Sequence, residues 1–496
     1  MRSKENERKV GTALSYVNTV LQALLGFVYV PLLLSYLGTS QFGIYQLMGS
    51  LIAYFSIMDF GLSTAVIRFY IYYYQKSSNI FQTFLATVQK VYICISLFTI
   101  MIGGIIYSLF DVIFKNGLTP QEIIDAKSIF VLLLINIVIT LLGMLYRAII
   151  TANENFLFLK SMETVQLVFQ PVAVIAVINA WPTAFAVALV MTVINLILTM
   201  VRYIYCRRML QIKISIWHTP FDFGILARLK DLMTSTFVVS IVDQIFLKSN
   251  QVILGIISGT GSVAIYSIAA IIYTSYLSLS YAISGVFLPK ITQLILSPGK
   301  EKEVSSIFIK IGRFQFVVYG LVLTGFIIFG REFINIWAGS EFTDAWQMAL
   351  IIMIPYTIDM IQNIGLSILQ AKDMYGIRAR VYGITGILSI ILSVYFGNRY
   401  GAFGCAVATA FSILASNFIM NCYYYKTIHL EVFQFWKSIF YIALVMAPVL
   451  ILGILINYIW TASNILVLIF KIIIYTVLYA FVTYLLVYKK GKMKLQ

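Results

Sequence analysis

The sequence predicts an all-α integral membrane protein of about fourteen transmembrane helices. They form two parallel six-helix lobes plus two C-terminal helices, with both termini cytoplasmic. Composition, run length and the placement of basic residues predict this. Of 496 residues, 61% are hydrophobic and only 11% are charged. One water-soluble core cannot absorb that much apolar side chain, so the solvent is lipid, where a spanning helix needs about 20 residues. Fourteen apolar runs have that length: 12–36, 43–70, 90–110, 128–150, 161–179, 183–205, 232–256, 263–288, 309–330, 345–369, 379–397, 402–424, 438–457 and 464–487. β-Barrel alternation is absent from them, so helices must satisfy the backbone.

The basic residues fix the orientation. With the N-terminus placed inside, 29 of the 35 lysines and arginines fall in inner gaps, at inner helix ends or at the termini. Only Lys115, Lys127, Arg331 and Arg399 fall outside, and Lys248 and Lys471 lie within spans. Such asymmetry orients a membrane protein and supports an even span count. It also accounts for the net charge of +16 without a nucleic-acid partner.

The chain repeats itself. Gly38-Thr-Ser-Gln-Phe-Gly-Ile-Tyr45 matches Gly259-Thr-Gly-Ser-Val-Ala-Ile-Tyr266 at four of eight positions, 221 residues apart. Ala152–Phe156 answers Ala371–Tyr375, and Thr183–Ala188 answers Gly401–Ala406, at offsets of 219 and 218. A period near 220 marks a tandem duplication. The expected division is an N-terminal lobe at 1–205, a basic linker at 206–231, a C-terminal lobe at 232–425, and two added spans with a basic tail at 426–496. Both lobes begin on the cytoplasmic side, so the repeats are parallel, and their interface is the expected seat of function. In an outer gap, Thr119-Pro120-Gln121-Glu122 predicts a capped helix start.

Charges inside spans need a polar cavity or a partner. Asp59 and Arg68 lie in the second span, Arg147 in the fourth and Asp359 in the tenth. The seventh holds Asp243, Gln244, Lys248, Asn250 and Gln251, and there Gln244 and Lys248 share a face. This stripe either lines a water-filled cavity or hydrogen-bonds neighbouring helices. Arg68 and Arg147 either snorkel to the inner headgroups or hold an anionic headgroup, for which the guanidinium fork is suited. Asp59 either pairs with a cation or binds a proton or Na⁺. Asp359 either repeats that role or bonds a neighbouring helix. Lys471 is expected to snorkel or to face a partner. Pro31, Pro171, Pro355 and Pro448 fall inside spans and free backbone acceptors there.

The four cysteines have no metal-ligand spacing and read as free thiols, and His218 and His429 read as surface residues. No metal and no cofactor is expected. A His-Glu-x-x-His pair, a phosphate-binding loop and a nucleophile elbow are all absent, so the chain is expected not to be an enzyme. The polar start of about ten residues, before a first run long enough to span, predicts no cleavable signal peptide.

The segment Ile57-Met58-Asp59-Phe60-Gly61-Leu62-Ser63-Thr64-Ala65-Val66-Ile67-Arg68-Phe69, following Gly43-Ile44-Tyr45, resembles polysaccharide transporters of the Wzx-type flippase group. These belong to the superfamily of multidrug, oligosaccharidyl-lipid and polysaccharide exporters. Tyr146–Glu154 and Gly259–Tyr266 carry the resemblance further. It implies a flippase moving undecaprenyl-diphosphate-linked oligosaccharide across the bacterial cytoplasmic membrane by alternating access, for O-antigen, capsule or exopolysaccharide synthesis. It carries over Asp59, Arg68 and Arg147 as motif residues. Implied partners are the lipid-linked glycan, the bilayer, and a polysaccharide polymerase or other envelope enzymes. The substrate-binding candidates are Arg68, Arg147, Lys248, Gln244 and Asn250. The ion-coupling or charge-pairing candidates are Asp59, Asp243 and Asp359. Alternatives are a cation-coupled multidrug and toxin extrusion antiporter, a lipid II flippase, and a non-transporting scaffold for envelope enzymes. A major-facilitator transporter is disfavoured, because 74–79 reads Tyr-Gln-Lys-Ser-Ser-Asn and lacks that family's Gly-x-x-x-Asp-Arg pattern.

Overall fold

A computed structural model describes residues 4–295, 301–372, 374, 376–462 and 464–485. Asp373 and Tyr375 of the second repeat, Lys300, and the basic tail at 489–494 lie outside the described residues. Fourteen α-helices follow in order: α1 (Lys4–Phe55), α2 (Leu62–Tyr74), α3 (Ser78–Ile113), α4 (Pro120–Ala152), α5 (Phe156–Ala180), α6 (Ala184–Arg208), α7 (Phe223–Ile257), α8 (Gly259–Ile295), α9 (Glu301–Trp337), α10 (Ala345–Ile361), α11 (Asn363–Ala371), α12 (Gly376–Lys426), α13 (Val432–Ile459) and α14 (Ile465–Thr483). The described residues contain no strand.

Eleven stretches are long and apolar enough to cross a membrane, or twelve with α10 and α11 taken as one span bent by 42°. Two of these are too long to cross once. At about 1.5 Å per residue, the 52 residues of α1 and the 51 of α12 each measure well over twice a ~30 Å hydrocarbon core. Each is broken at a glycine of positive φ, Gly38 (φ 68°) and Gly401 (φ 57°), a conformation costly for any side chain. Divided there, the twelve become the fourteen spans expected. Gly259, which answers Gly38 in the repeat, also has positive φ (84°) and starts α8.

Packing groups the chain into two compact units, Met1–Ala264 and Ile265–Gln496. This division differs from the one expected at 206–231: by packing, α7 goes with the first unit.

In the first unit, one carboxylate knits the outer helix ends. Thr119 and Glu122 form the expected capping box at the start of α4. Glu122 also accepts hydrogen bonds from Ser40 Oγ (2.6 Å) and Thr260 Oγ1 (2.7 Å), so it touches both copies of the duplicated octapeptide. Beside it a Cβ on Gly43 would overlap the Thr260 carbonyl. Only glycine lets those two backbones meet.

In the second unit, α13 and α14 pack on α9. Ile328 and Phe329 of α9 meet Ile442, Met446 and Val449 of α13 and Leu468, Tyr475 and Tyr479 of α14. Lys471 corrects its expectation. It neither snorkels nor faces outward: it is 0% exposed and donates to Glu332 (2.8 Å) and Asn457 Oδ1 (2.5 Å), joining α14 to α9 and α13. A buried ammonium needs both a counter-ion and further acceptors, and this position supplies them.

Two outcomes test this packing. Lys471→Met strands the Glu332 carboxylate and is expected to cost about 3–5 kcal/mol, while the double variant Lys471→Met/Glu332→Gln recovers much of the loss, read as melting temperature in detergent. Gly43→Val is expected to lower the melting temperature through its clash with the Thr260 carbonyl, whereas Gly49→Ala, where a Cβ meets nothing within 4 Å, leaves it near wild type.

Candidate functional site

The first unit contains a polar groove of about 570 Å³ between α1 and α5. On α1 it is lined by Ser15, Asn18, Thr19, Gln22, Gly26 and Tyr29. Steps of three or four residues put them on one face of a helix. On α5 the lining includes Lys160, Glu163, Gln166 and Gln170, with the same periodicity. From the basic, inner ends of their helices the stripes run about 21 Å along α1 and about 15 Å along α5. The stripes are cross-linked: Asn18 Nδ2 donates to the Lys160 carbonyl (3.2 Å), and Thr164 Oγ1 donates to Asn18 Oδ1 (2.6 Å). Gln166 Nε2 donates to Gln170 Oε1 (3.2 Å). At the deep end the Tyr29 hydroxyl is buried and has no hydrogen-bond partner among the described residues. Pro171 also lines the groove and has no N–H to give to the carbonyl of Leu167, its neighbour in the lining.

Charge gathers at the inner end. Glu163 bridges Arg147 of α4 (3.0 Å) and Lys160 (2.8 Å). Arg202 of α6 lies in the electrostatic field of Arg147 and Glu163, and its Nε is buried with no partner among the described residues. Two cations are thus bonded to one carboxylate and a third lies in its field, which leaves an excess of positive charge, an arrangement suited to an anion.

The structure distributes the other predicted residues differently. Asp59 does not meet Arg68 or Arg147. It ends a 3₁₀ turn, Ser56–Asp59, that interrupts the second span, and accepts from Tyr92 (2.8 Å) and from Ser63 Oγ (2.7 Å) at the start of α2. Arg68 is exposed on α2. On α7, Asp243 is exposed, Gln244 and Lys248 are half-buried and Asn250 is buried. Gln251 accepts from Ser50 of α1, as interhelical bonding would have it. Among the described residues Lys248 has no ion-pair partner, and Gln244 Oε1 is buried without a donor. In the second unit Asp359 is paired with Arg378 of α12 (3.3 Å) and accepts from Tyr382 (2.5 Å), beside the break between α10 and α11.

Charge alone does not reveal the groove, because most of its lining is uncharged. Asn18, Gln22, Tyr29, Lys160, Glu163, Gln166, Gln170 and Arg202 were absent from the expected site. The signal that finds them is the helical spacing of polar residues along the first and fifth spans.

A long helical chain of this span count, with polar stripes inside its membrane helices, defines a multi-pass membrane protein of transporter type. The match to the polysaccharide biosynthesis protein family covers residues 10–295, more than half of the chain, and the chain belongs to that family. The probable low-salt glycan biosynthesis flippase Agl15 of Haloferax volcanii is 27% identical over 202 residues, 40% of this chain and 42% of that protein. The match therefore spans less than half of that relative's length. Among solved structures, the lipid II flippase MurJ in an inward closed conformation superposes with a TM-score of 0.74 at 16% identity, over 96% of this chain and 98% of that one. An inward-facing MATE family transporter of the MOP superfamily gives 0.56 at 12% identity, over 84% and 96%. These two likenesses concern the fold.

Because Arg147 is half exposed, its bond to Glu163 is expected to contribute no more than about 1 kcal/mol. Arg147→Ala should therefore unfold at nearly the wild-type temperature, which separates any loss of transport from a loss of fold.

Proposed function

We propose that this protein is a flippase that moves undecaprenyl-diphosphate-linked oligosaccharide from the inner to the outer leaflet of the cytoplasmic membrane. The observation that carries this reading is the α1–α5 groove, cationic at its inner mouth and amide-lined further in. Family membership and the partial match to a probable glycan flippase support it. The prenyl tail can stay in the bilayer throughout, so the protein need only shelter a diphosphate and its sugars. Crossing lipid unaided would strip both of water at a cost of many kcal/mol.

In this reading Arg147, Arg202 and Lys160 receive the diphosphate at the inner mouth, with Glu163 holding them in place. Arg68 and Lys248 are further cations on the route, with Gln244 and Asn250 beside it. The halves at 1–205 and 232–425 are the bodies proposed to rock, with both termini cytoplasmic and the linker at 206–231 between them. Asp59 and Asp359 stabilise helix breaks, since each is satisfied by donors beside an interruption in its span. The carbohydrate pathway and the polymerase partner belong to the same proposal, and the chain is read as a transporter with no chemical step of its own.

The test is a flipping assay in liposomes, using an undecaprenyl-diphosphate oligosaccharide labelled on its sugar. The wild type is expected to transfer sugar faster than empty liposomes, and neutralising Arg68, Arg147 and Lys248 together to slow transfer at least about tenfold, equivalent to about 1.4 kcal/mol in the barrier. Transfer unchanged by the triple substitution would overturn the assigned route. Dye efflux driven by a cation gradient, with no transfer of the glycan, would replace this reading with the antiporter.

A further inference from the structure

We infer that the deep part of the α1–α5 groove, beyond its cationic mouth, is a subsite for an uncharged glycan, which selects neutral sugars over acidic ones. This rests on the flippase reading and adds to it the chemical class of the sugar. Beyond Glu163, the polar groups in the lining are the amides of Gln22, Gln166 and Gln170 and the Tyr29 hydroxyl. Each amide presents donors and an acceptor on one planar group, and a phenol can do either. That set matches sugar hydroxyls and acetamido groups, which also donate and accept. It supplies no cation to balance a carboxylate.

Three independent features point to a ligand there. The Tyr29 hydroxyl is buried and unsatisfied among the described residues, which costs about 1–3 kcal/mol unless something bonds it. Pro171 leaves the Leu167 carbonyl without its helical donor at the groove wall. Gln166 and Gln170 bond each other at 3.2 Å, which uses one donor and one acceptor and leaves the others to face the groove.

The division of labour follows from where the charge lies. Arg147, Lys160 and Arg202 cluster at the mouth with Glu163, so the diphosphate is held there and the sugars extend inward. A hexuronate in the amide-lined part would lie away from these cations, where no side chain of the lining beyond Glu163 carries a positive charge to pair with its carboxylate.

The experiment compares two probes with the same undecaprenyl diphosphate. One carries a tetrasaccharide of neutral hexoses, and the other has one hexose replaced by a hexuronic acid. Binding is measured to the full-length protein in nanodiscs, and flipping in liposomes. The neutral probe is expected to bind at least about tenfold more tightly, and Tyr29→Phe and Gln170→Leu each to weaken it severalfold without changing the acidic probe. Tyr29→Phe removes one oxygen and keeps the ring, so it remains informative if Gln170→Leu fails to fold. Equal affinities, or no binding of either probe, would overturn the subsite. Flipping of both probes at one rate would remove the subsite and keep the flippase. Preferential binding of the neutral probe without flipping would keep the subsite and remove the flippase.

Discussion

A backbone in lipid has no water to bond, and the architecture follows from that constraint. Every N–H and C=O within a span must be satisfied inside the protein, which makes helices obligatory for this chain. It also makes each departure from the helix informative. Gly38 and Gly401 break two helices too long to cross once. Beside one interruption Asp59 accepts from Ser63 and Tyr92, and beside another Asp359 accepts from Tyr382 of α12.

The same constraint governs the polar side chains. A polar group facing lipid costs free energy, so the stripes of α1 and α5 either satisfy each other or face water and ligand. The stripes contain both satisfied groups and one left open. Asn18, Thr164 and the Lys160 carbonyl form a closed set near the inner end, while Tyr29 is left unsatisfied further in. The ion pairs divide in a similar way. Lys471–Glu332 is buried and fastens the last helix to α9, whereas Arg147–Glu163 is partly wetted and contributes little to stability. Spans four and five and spans ten and eleven, six spans apart, hold a further parallel. Arg147 of α4 meets Glu163 of α5, and Asp359 of α10 meets Arg378 of α12, so each unit carries one such interhelical ion pair, with the order of its charges exchanged.

Most of the fold was legible in the sequence, because the length of an apolar run reports on the thickness of the bilayer directly. The capping box at Thr119 was legible for a local reason: its residues bond one another within a single turn. The site was less legible. Arg147 stood out as a charge near a span end, but its partner Glu163 lies on another helix, sixteen residues on. Lys471 read as a snorkelling residue because nothing in its own span offers a counter-ion; Glu332 comes from a helix 139 residues earlier. Gln22, Gln166 and Gln170 carry no charge, and only their alignment across two helices makes them a groove. Long-range pairing and uncharged polarity are what the linear pattern conceals.

The central claim is that the α1–α5 groove is a water-accessible polar route. In a background without Cys94, Cys206, Cys405 and Cys422, single cysteines at Gln22, Gln166 and Gln170 would be exposed to a membrane-impermeant maleimide from the inner side, with Phe169 and Val172 on the opposite, exposed face of α5 as controls. The account predicts rapid labelling of the three groove positions, protection by the lipid-linked glycan, and little labelling of the two controls. Groove positions as unreactive as Phe169 and Val172, or reactivity that the glycan leaves untouched, would contradict it.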